Sequence, residues 1–248
     1  MREQAPGEYV HIFNRGIQKQ PIFETKADFW RFLFLLLTFQ GEMVVKNVSR
    51  EFKKSVQSQA LHIDEDLVSD VLRTRMVELV AFCFMPNHFH LIIRELVDDG
   101  ISRYMQRTQT AYVKYFNLLH NKSGHLFQGP YKSVHISSDR QLMYTSAYIH
   151  KNPVEIGWKG NESQYPWSSY RDFVAENRFG ELLTTGVITD RFPEGKKQVG
   201  YEKFVNTCTA KEFSKIIDES VQSLALHTFE GKVGEERKKM RITRNNKV

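Results

Sequence analysis

Two strand-forming segments separated by a very short turn do most to restrict the folds open to this chain. Val77 to Phe84 is an almost unbroken apolar run, Met85-Pro86-Asn87 is turn chemistry, and His88 to Arg94 is a second strand. Strands joined so tightly read as a β-hairpin or close neighbours, and their apolar content predicts a buried sheet centre for both. The surrounding signals supply an order. Tyr9 to Asn14 is a strand broken by Arg15-Gly16. Thr25 can cap a helix, with Asp28 as its capping-box partner and Phe29, Phe32, Leu33, Leu36 and Leu37 as the apolar stripe. Ile101 to His120 has helical spacing and ends in the turn residues Asn121 to Gly124. Tyr131 to Ile136 can form another strand, and Ser138 can cap a helix from Asp139 to about Lys151, halted by Pro153. The order β-α-β-β-α-β-α predicts an α+β protein: a ferredoxin-like antiparallel sheet with helices on one face, plus one further helix.

At 248 residues the chain is long enough for one large domain or a domain with an appendage. We expect a principal domain over 1–180 and a helical extension over 181–248. Gly41 to Met76 is more polar and reads as an insertion with one or two surface helices, Asp64 to Thr74 being the clearer. Lys203 to Leu226 looks helical, and Glu235 to Val248, with six basic and two acidic residues, reads as a disordered basic tail. Hydrophobic residues at 41% exclude an intrinsically disordered chain, while 35 Lys and Arg against 29 Asp and Glu give +6, a balance that favours polyanionic partners. Two cysteines are too few for a disulfide scaffold or an all-thiolate metal site. Phe32 to Phe39, an apolar stretch interrupted only by Thr38, falls well short of the ~20 residues that cross a bilayer. Met1 to Gly7 has no signal-peptide core, so a reducing, cytoplasmic setting is expected.

Chemistry concentrates in two places. On a strand, His88 and His90 point to one side and can offer two imidazoles to a divalent cation, while Phe89, Leu91 and Ile93 enter the core on the other. An isolated His-x-His is more often a pair of ordinary histidines on an exposed sheet face. Near the end of the Ser138 helix, Tyr148 and Asn152 are four residues apart and share a face, setting a phenol beside an amide oxygen able to coordinate a hard cation. Taken alone, each is an ordinary helix-end residue, and Tyr144, one turn earlier, is a rival nucleophile.

The sequence resembles the single-tyrosine HUH transposases of the IS200 kind, and more closely the REP-associated tyrosine transposases. The resemblance is carried by His11-Ile12-Phe13-Asn14-Arg15-Gly16, Met85-Pro86-Asn87-His88-Phe89-His90, Gly124-His125-Leu126-Phe127-Gln128-Gly129, Tyr148-Ile149-His150-Lys151-Asn152-Pro153-Val154 and Trp167-Ser168-Ser169-Tyr170, in the family's order. It implies the HUH nuclease fold, with His88, His90 and Asn152 as ligands of Mg²⁺ or Mn²⁺ and Tyr148 as the nucleophile. It further implies single-stranded DNA beside a hairpin as substrate, and a 5′-phosphotyrosine intermediate. Pro130 stands where the family commonly carries Arg. Candidate DNA contacts are Asn14, Arg15, Arg103, Arg107, His125, Gln128, Tyr131 and Lys132, with Lys114, Tyr104 and Phe127 as further phosphate-pairing or stacking candidates. For Phe127, core packing is the favoured reading.

The leading expectation is therefore a metal-dependent DNA strand transferase or nickase, cytoplasmic and nucleoid-associated in a prokaryote, working as a monomer or homodimer. The alternative is a catalytically silent hairpin-DNA binder or regulator derived from such an enzyme. A replication initiator or relaxase lacks support from any helicase-like segment or second tyrosine pair, and a metallohydrolase would need further ligands, for which only His11 and His135 offer themselves.

Overall fold

The computed structural model describes residues 5–42, 52, 61 and 63–216. Half of the stretch read as an insertion and all of the basic tail lie outside these residues.

Strand β1 (Tyr9–Arg15) is followed by helix α1 (Lys26–Thr38), helix α2 (Glu65–Arg73), strands β2 (Val77–Met85) and β3 (His88–Glu95), helix α3 (Gly100–Leu119), strand β4 (Lys132–Ile136) and helix α4 (Asp139–Glu155). The four strands form one antiparallel sheet in the order β2-β3-β1-β4. The element order, with β1 inserted between β3 and β4, is the expected ferredoxin-like topology.

Local sequence sets the helix starts. Thr25 and Asp28 form a reciprocal capping box on α1, Asp64 caps α2, and Ser138 accepts the Gln141 N–H at the start of α4. Helix α1 is buried well beyond the anticipated stripe, since Phe34 and Leu35 are also enclosed. On one sheet face α1 and α3 pack together: Phe32 meets both Phe89 of β3 and Tyr112 of α3, and the Tyr104 hydroxyl donates to the Leu36 carbonyl. Helix α4, the extra helix of the sequence pattern, covers the opposite face, where its Tyr148 meets His90.

Two expectations change. Strand β2 lies at the sheet edge rather than its centre. It is nonetheless buried, because the segment around Trp167 to Ser169 bonds along its outer side: Phe84 N donates to Trp167 O at 2.9 Å, and Ser169 N to Phe82 O at 2.9 Å. An apolar run thus signals burial without distinguishing a central strand from a covered edge. Helix α4 also continues through Pro153 to Glu155. Proline removes one intrahelical N–H, a loss confined here to the final turn, where Asn152 and Pro153 are buried in the packing.

Beyond helix α5 (Tyr170–Val174) and the short helix α6 (Gly186–Thr189), the helical stretch expected from Lys203 is two elements, α7 (Lys197–Thr207) and α8 (Ala210–Ile216). Its part beyond 216 lies outside the described residues. Leu182, Leu183, Ile188, Tyr201 and Val205 join the same core as the sheet, so residues after 180 share the principal hydrophobic cluster.

Candidate active site

Strand alternation and register build the site. Across the β1–β3 ladder Phe13 pairs with His90, His11 with Ile92 and Arg15 with His88. His11, Phe13 and Arg15 therefore share a sheet face with His88 and His90. The His88 and His90 rings lie 5.3 Å apart, nearly perpendicular. They are 1% and 0% exposed, so the reading as two solvent-facing histidines does not describe them.

Helix α4 closes this face. The Tyr148 ring stands 5.7 Å from the His90 ring and 6.3 Å from the His11 ring. One turn on, Asn152 lies close enough to His88 to raise its pKa, against the larger lowering effects of burial and of Arg15. Asn152 Nδ2 donates to the Tyr148 carbonyl at 2.9 Å, which holds the amide and leaves its oxygen for another partner. The four residues singled out from the sequence, His88, His90, Tyr148 and Asn152, thus converge. Tyr144 does not join them: its hydroxyl donates to Glu212 of α8 at 3.1 Å. Residue Phe213 of the same helix packs at 5.7 Å against Tyr148, which is 4% exposed.

Electrostatics favour neutral rings. Burial pushes His11 and His88 down to about 3 and His90 well below its ordinary value. The tautomer of His88 follows from its neighbour: Asn87 Nδ2 donates to the Lys19 carbonyl at 3.2 Å, so Asn87 Oδ1 faces His88 Nδ1 at 2.7 Å and accepts its proton. The lone pair of His88 then lies on Nε2, the nitrogen that could coordinate. Among the described residues no group of three or more His, Cys, Asp and Glu side chains is arranged to hold a metal. The donor set is instead two imidazoles and a carboxamide. His90 Nε2 and Asn152 Oδ1 are buried without a hydrogen bond, and buried polar atoms left so in a folded protein mark a place for a missing partner. Two neutral nitrogens and an oxygen fit a divalent cation of the Mg²⁺ or Mn²⁺ kind.

The expected DNA contacts divide. Asn14 Nδ2 donates to the Gly129 carbonyl at 3.1 Å, and Gln128 N donates to the Arg15 carbonyl at 2.9 Å. The loop from Gly124 to Pro130 is thereby fastened to the end of β1, bringing Asn14, Arg15 and Gln128 together beside His88. Gly16 is required there because a Cβ would meet the Gln20 carbonyl oxygen at 2.1 Å. The close approach this glycine permits is to the chain's own backbone. His125, Gln128 and Lys132 are exposed, and Tyr131 is half-buried. A groove of about 500 Å³ runs between this loop and α3, lined by Lys114, His125, Phe127 and Pro130. Arg103 and Arg107 belong elsewhere, on the α1–α3 face: Arg103 pairs with Glu42 at 2.6 Å, and Arg107 donates to the Gly41 carbonyl at 2.7 Å. Tyr104 is core, and Phe127 is buried at 6.0 Å from Phe89.

From the residues alone His11 is only a weak candidate metal ligand, and His150 has no role beyond its motif. His11 Nε2 meets His90 Nδ1 at 2.9 Å. The signal available was the two-residue period His11, Phe13, Arg15, legible only once β1 is known to pair with β3. His150 bonds Tyr201 at 2.7 Å and Ser169 at 2.8 Å.

Fold and site together define a ferredoxin-like sheet that carries a buried His-x-His pair under a helical tyrosine. The family described as IS200-like transposases matches residues 35–152, a span that includes His88, His90, Tyr148 and Asn152. The resemblance to that family read from the motifs is thereby borne out. A solved REP-associated tyrosine transposase bound to a REP hairpin is similar over 71% of this chain and 84% of its own, at 17% identity and a TM-score of 0.47. No curated protein matches the chain.

Proposed function

We propose that this protein is a metal-dependent single-stranded DNA endonuclease and strand transferase acting beside hairpin DNA. The observation that carries the reading is the convergence of the Tyr148 phenol, 5.7 Å ring to ring from His90, with the unbonded donors His90 Nε2 and Asn152 Oδ1. Tyr148 is the nucleophile. Attack of its Oη on a phosphodiester forms a P–O bond to tyrosine and breaks the P–O3′ bond. The phenol proton passes to solvent, and the departing 3′ oxygen takes one up. The products are a 5′-phosphotyrosine and a free 3′-hydroxyl, and a second 3′-hydroxyl can reverse the step. The energy of the broken ester stays in the new one, so no nucleotide cofactor is needed. A Mg²⁺ or Mn²⁺ held by His88, His90 and Asn152 would neutralise charge on the phosphate oxygens.

The remaining residues bind and orient. Arg15 adds positive charge next to His88. Asn14 and Gln128 hold the loop that borders the site, and the exposed His125 and Lys132 with the half-buried Tyr131 offer charge and a stacking surface to the flanking strand. His150, bonded on both ring nitrogens, fixes the turn of α4 that carries Tyr148.

The test is to incubate the protein with single-stranded hairpin DNA and Mn²⁺ and trap the covalent adduct on a denaturing gel. We expect an adduct from wild type and from Tyr144→Phe, none from Tyr148→Phe, and none with EDTA. An adduct from Tyr148→Phe would overturn the assignment. The near-complete burial of Tyr148 under Phe213 favours a second reading, a hairpin-DNA binder without cleavage. It expects tight, salt-dependent binding with no adduct and no metal requirement.

A further inference from the structure

Two buried imidazoles at the site each present one nitrogen to a neighbouring side chain. For His88 the neighbour is the Asn87 amide oxygen, which can only accept, so the proton sits on Nδ1. For His90 the neighbour is a third imidazole, His11, whose Nε2 lies 2.9 Å from His90 Nδ1. That contact alone allows either ring to donate. The surroundings of His90 break the tie. Its Nε2 is buried and makes no hydrogen bond. A proton there would be a donor shut away from water with nothing to receive it, a costly state. Moving the proton to Nδ1 gives it an acceptor in His11 Nε2 and leaves a lone pair at Nε2, facing the side of the sheet from which Tyr148 and Asn152 approach. Both His88 and His90 then offer Nε2 in the same sense.

We propose that His11 is a positioning residue for the metal site: its Nε2 accepts the proton of His90 Nδ1 and so fixes both the rotation and the tautomer in which His90 coordinates. The inference rests on the metal reading proposed above. His11 touches neither substrate nor cation in this role. The strand provides the rigidity, since His11 sits in a ladder paired on both sides, with Ile92 of β3 and Val134 of β4. Outer partners of ligating histidines commonly set metal affinity in this way, and their loss typically costs about 10- to 100-fold.

Two measurements on the full chain test it. In the metal-free protein, long-range ¹H–¹⁵N spectra of the histidine rings should show His90 with its proton on Nδ1. A wild-type His90 protonated on Nε2 overturns the inference whatever the variants do. Mn²⁺ titration, read by the signal of the free ion, should show His11→Phe binding about 10- to 100-fold more weakly than wild type, and His11→Gln, which restores an acceptor, recovering most of the loss. Phe keeps the ring volume, and thermal unfolding of each variant reports whether the fold is intact. His90→Ala separates the two levels. If it binds Mn²⁺ as wild type does, the metal reading fails and the inference with it. If His90→Ala loses Mn²⁺ while folded His11→Phe keeps the wild-type Kd, the metal reading stands and the role of His11 is overturned.

Discussion

His90 and His150 are both buried histidines beside Tyr148, yet their surroundings differ in one respect that separates structure from chemistry. Around His150 every atom is satisfied. Ser146 donates to the Met143 carbonyl, Tyr201 donates to Ser146 at 3.0 Å, and the Tyr201 oxygen is thereby left to accept from His150 Nδ1 at 2.7 Å. The other ring nitrogen meets Ser169, which also accepts the Phe82 N–H of β2. This chain ties α4 to α7 and to the sheet edge. Around His90 one nitrogen is held and the other is left open, beside an equally unbonded Asn152 oxygen. A closed polar network rigidifies, whereas an open one holds a place for a ligand. Burial and depressed basicity, common to both histidines, would not have told them apart.

The sharpest way to break this contrast is to remove each ring in turn. His150→Ala should cost about 3 kcal/mol of unfolding free energy, since it opens a cavity and strips a partner from each of the Tyr201 and Ser169 hydroxyls. Chemical denaturation measures the loss, and any protein that remains folded should keep its Mn²⁺ affinity. His90→Ala should do the reverse. A loss of Mn²⁺ binding from His150→Ala without loss of stability would erase the distinction.

Ligand linkage should give the next largest effect. Mn²⁺ at about a hundred times its Kd should raise wild-type stability by about 2.7 kcal/mol and leave His90→Ala unmoved. Thermal melts with and without the ion compare the two. An equal rise in both proteins would place the ion elsewhere.

Acid should reveal the closed network. His150 is pushed down to about 3 by burial, while its unfolded value is near ~6.5. Between these values the unfolded state binds the extra proton, so stability is intact above pH ~6.5 and falls as pH drops toward 3. The slope is about 1.4 kcal/mol per pH unit for each such histidine. Metal-free wild type should therefore lose stability below neutral pH more steeply than His150→Gln, by one proton's worth. Parallel slopes would show that His150 takes up its proton without unfolding.

The smallest effect belongs to residues that share neither region. Arg103 forms a partly exposed pair with Glu42. Arg103→Ala should cost under about 1 kcal/mol and leave hairpin-DNA affinity unchanged, whereas Lys132→Ala should weaken it and flatten its salt dependence. Filter binding at several salt concentrations distinguishes them. Equal losses would return Arg103 to the DNA interface.

Much of this was legible beforehand for local reasons. Capping at Thr25, Asp64 and Ser138 depends on residues within one helical turn, and the pairing of His88 with His90 depends on the two-residue period of a strand. The four-residue spacing of Tyr148 and Asn152 placed both on one helical face. Less legible was anything that depends on which elements meet. Arg103 and Arg107 are as basic as Arg15, but α3 turns them toward the end of α1 while β1 sets Arg15 beside His88. Gly16 reads as open backbone, and only the fold reveals the Gln20 carbonyl that excludes a side chain there.

By itself the sequence determined the element order, the helix caps and the residue types able to bind a cation and attack a phosphate, because propensity, periodicity and side-chain chemistry act over a few neighbouring positions. Tertiary structure alone decided that β2 is an edge covered by the Trp167 segment, that Tyr148 rather than Tyr144 faces the histidines, and that His11 rather than water meets His90. Those outcomes depend on strand register and on which face a helix covers, and both are set by contacts between residues far apart in the chain.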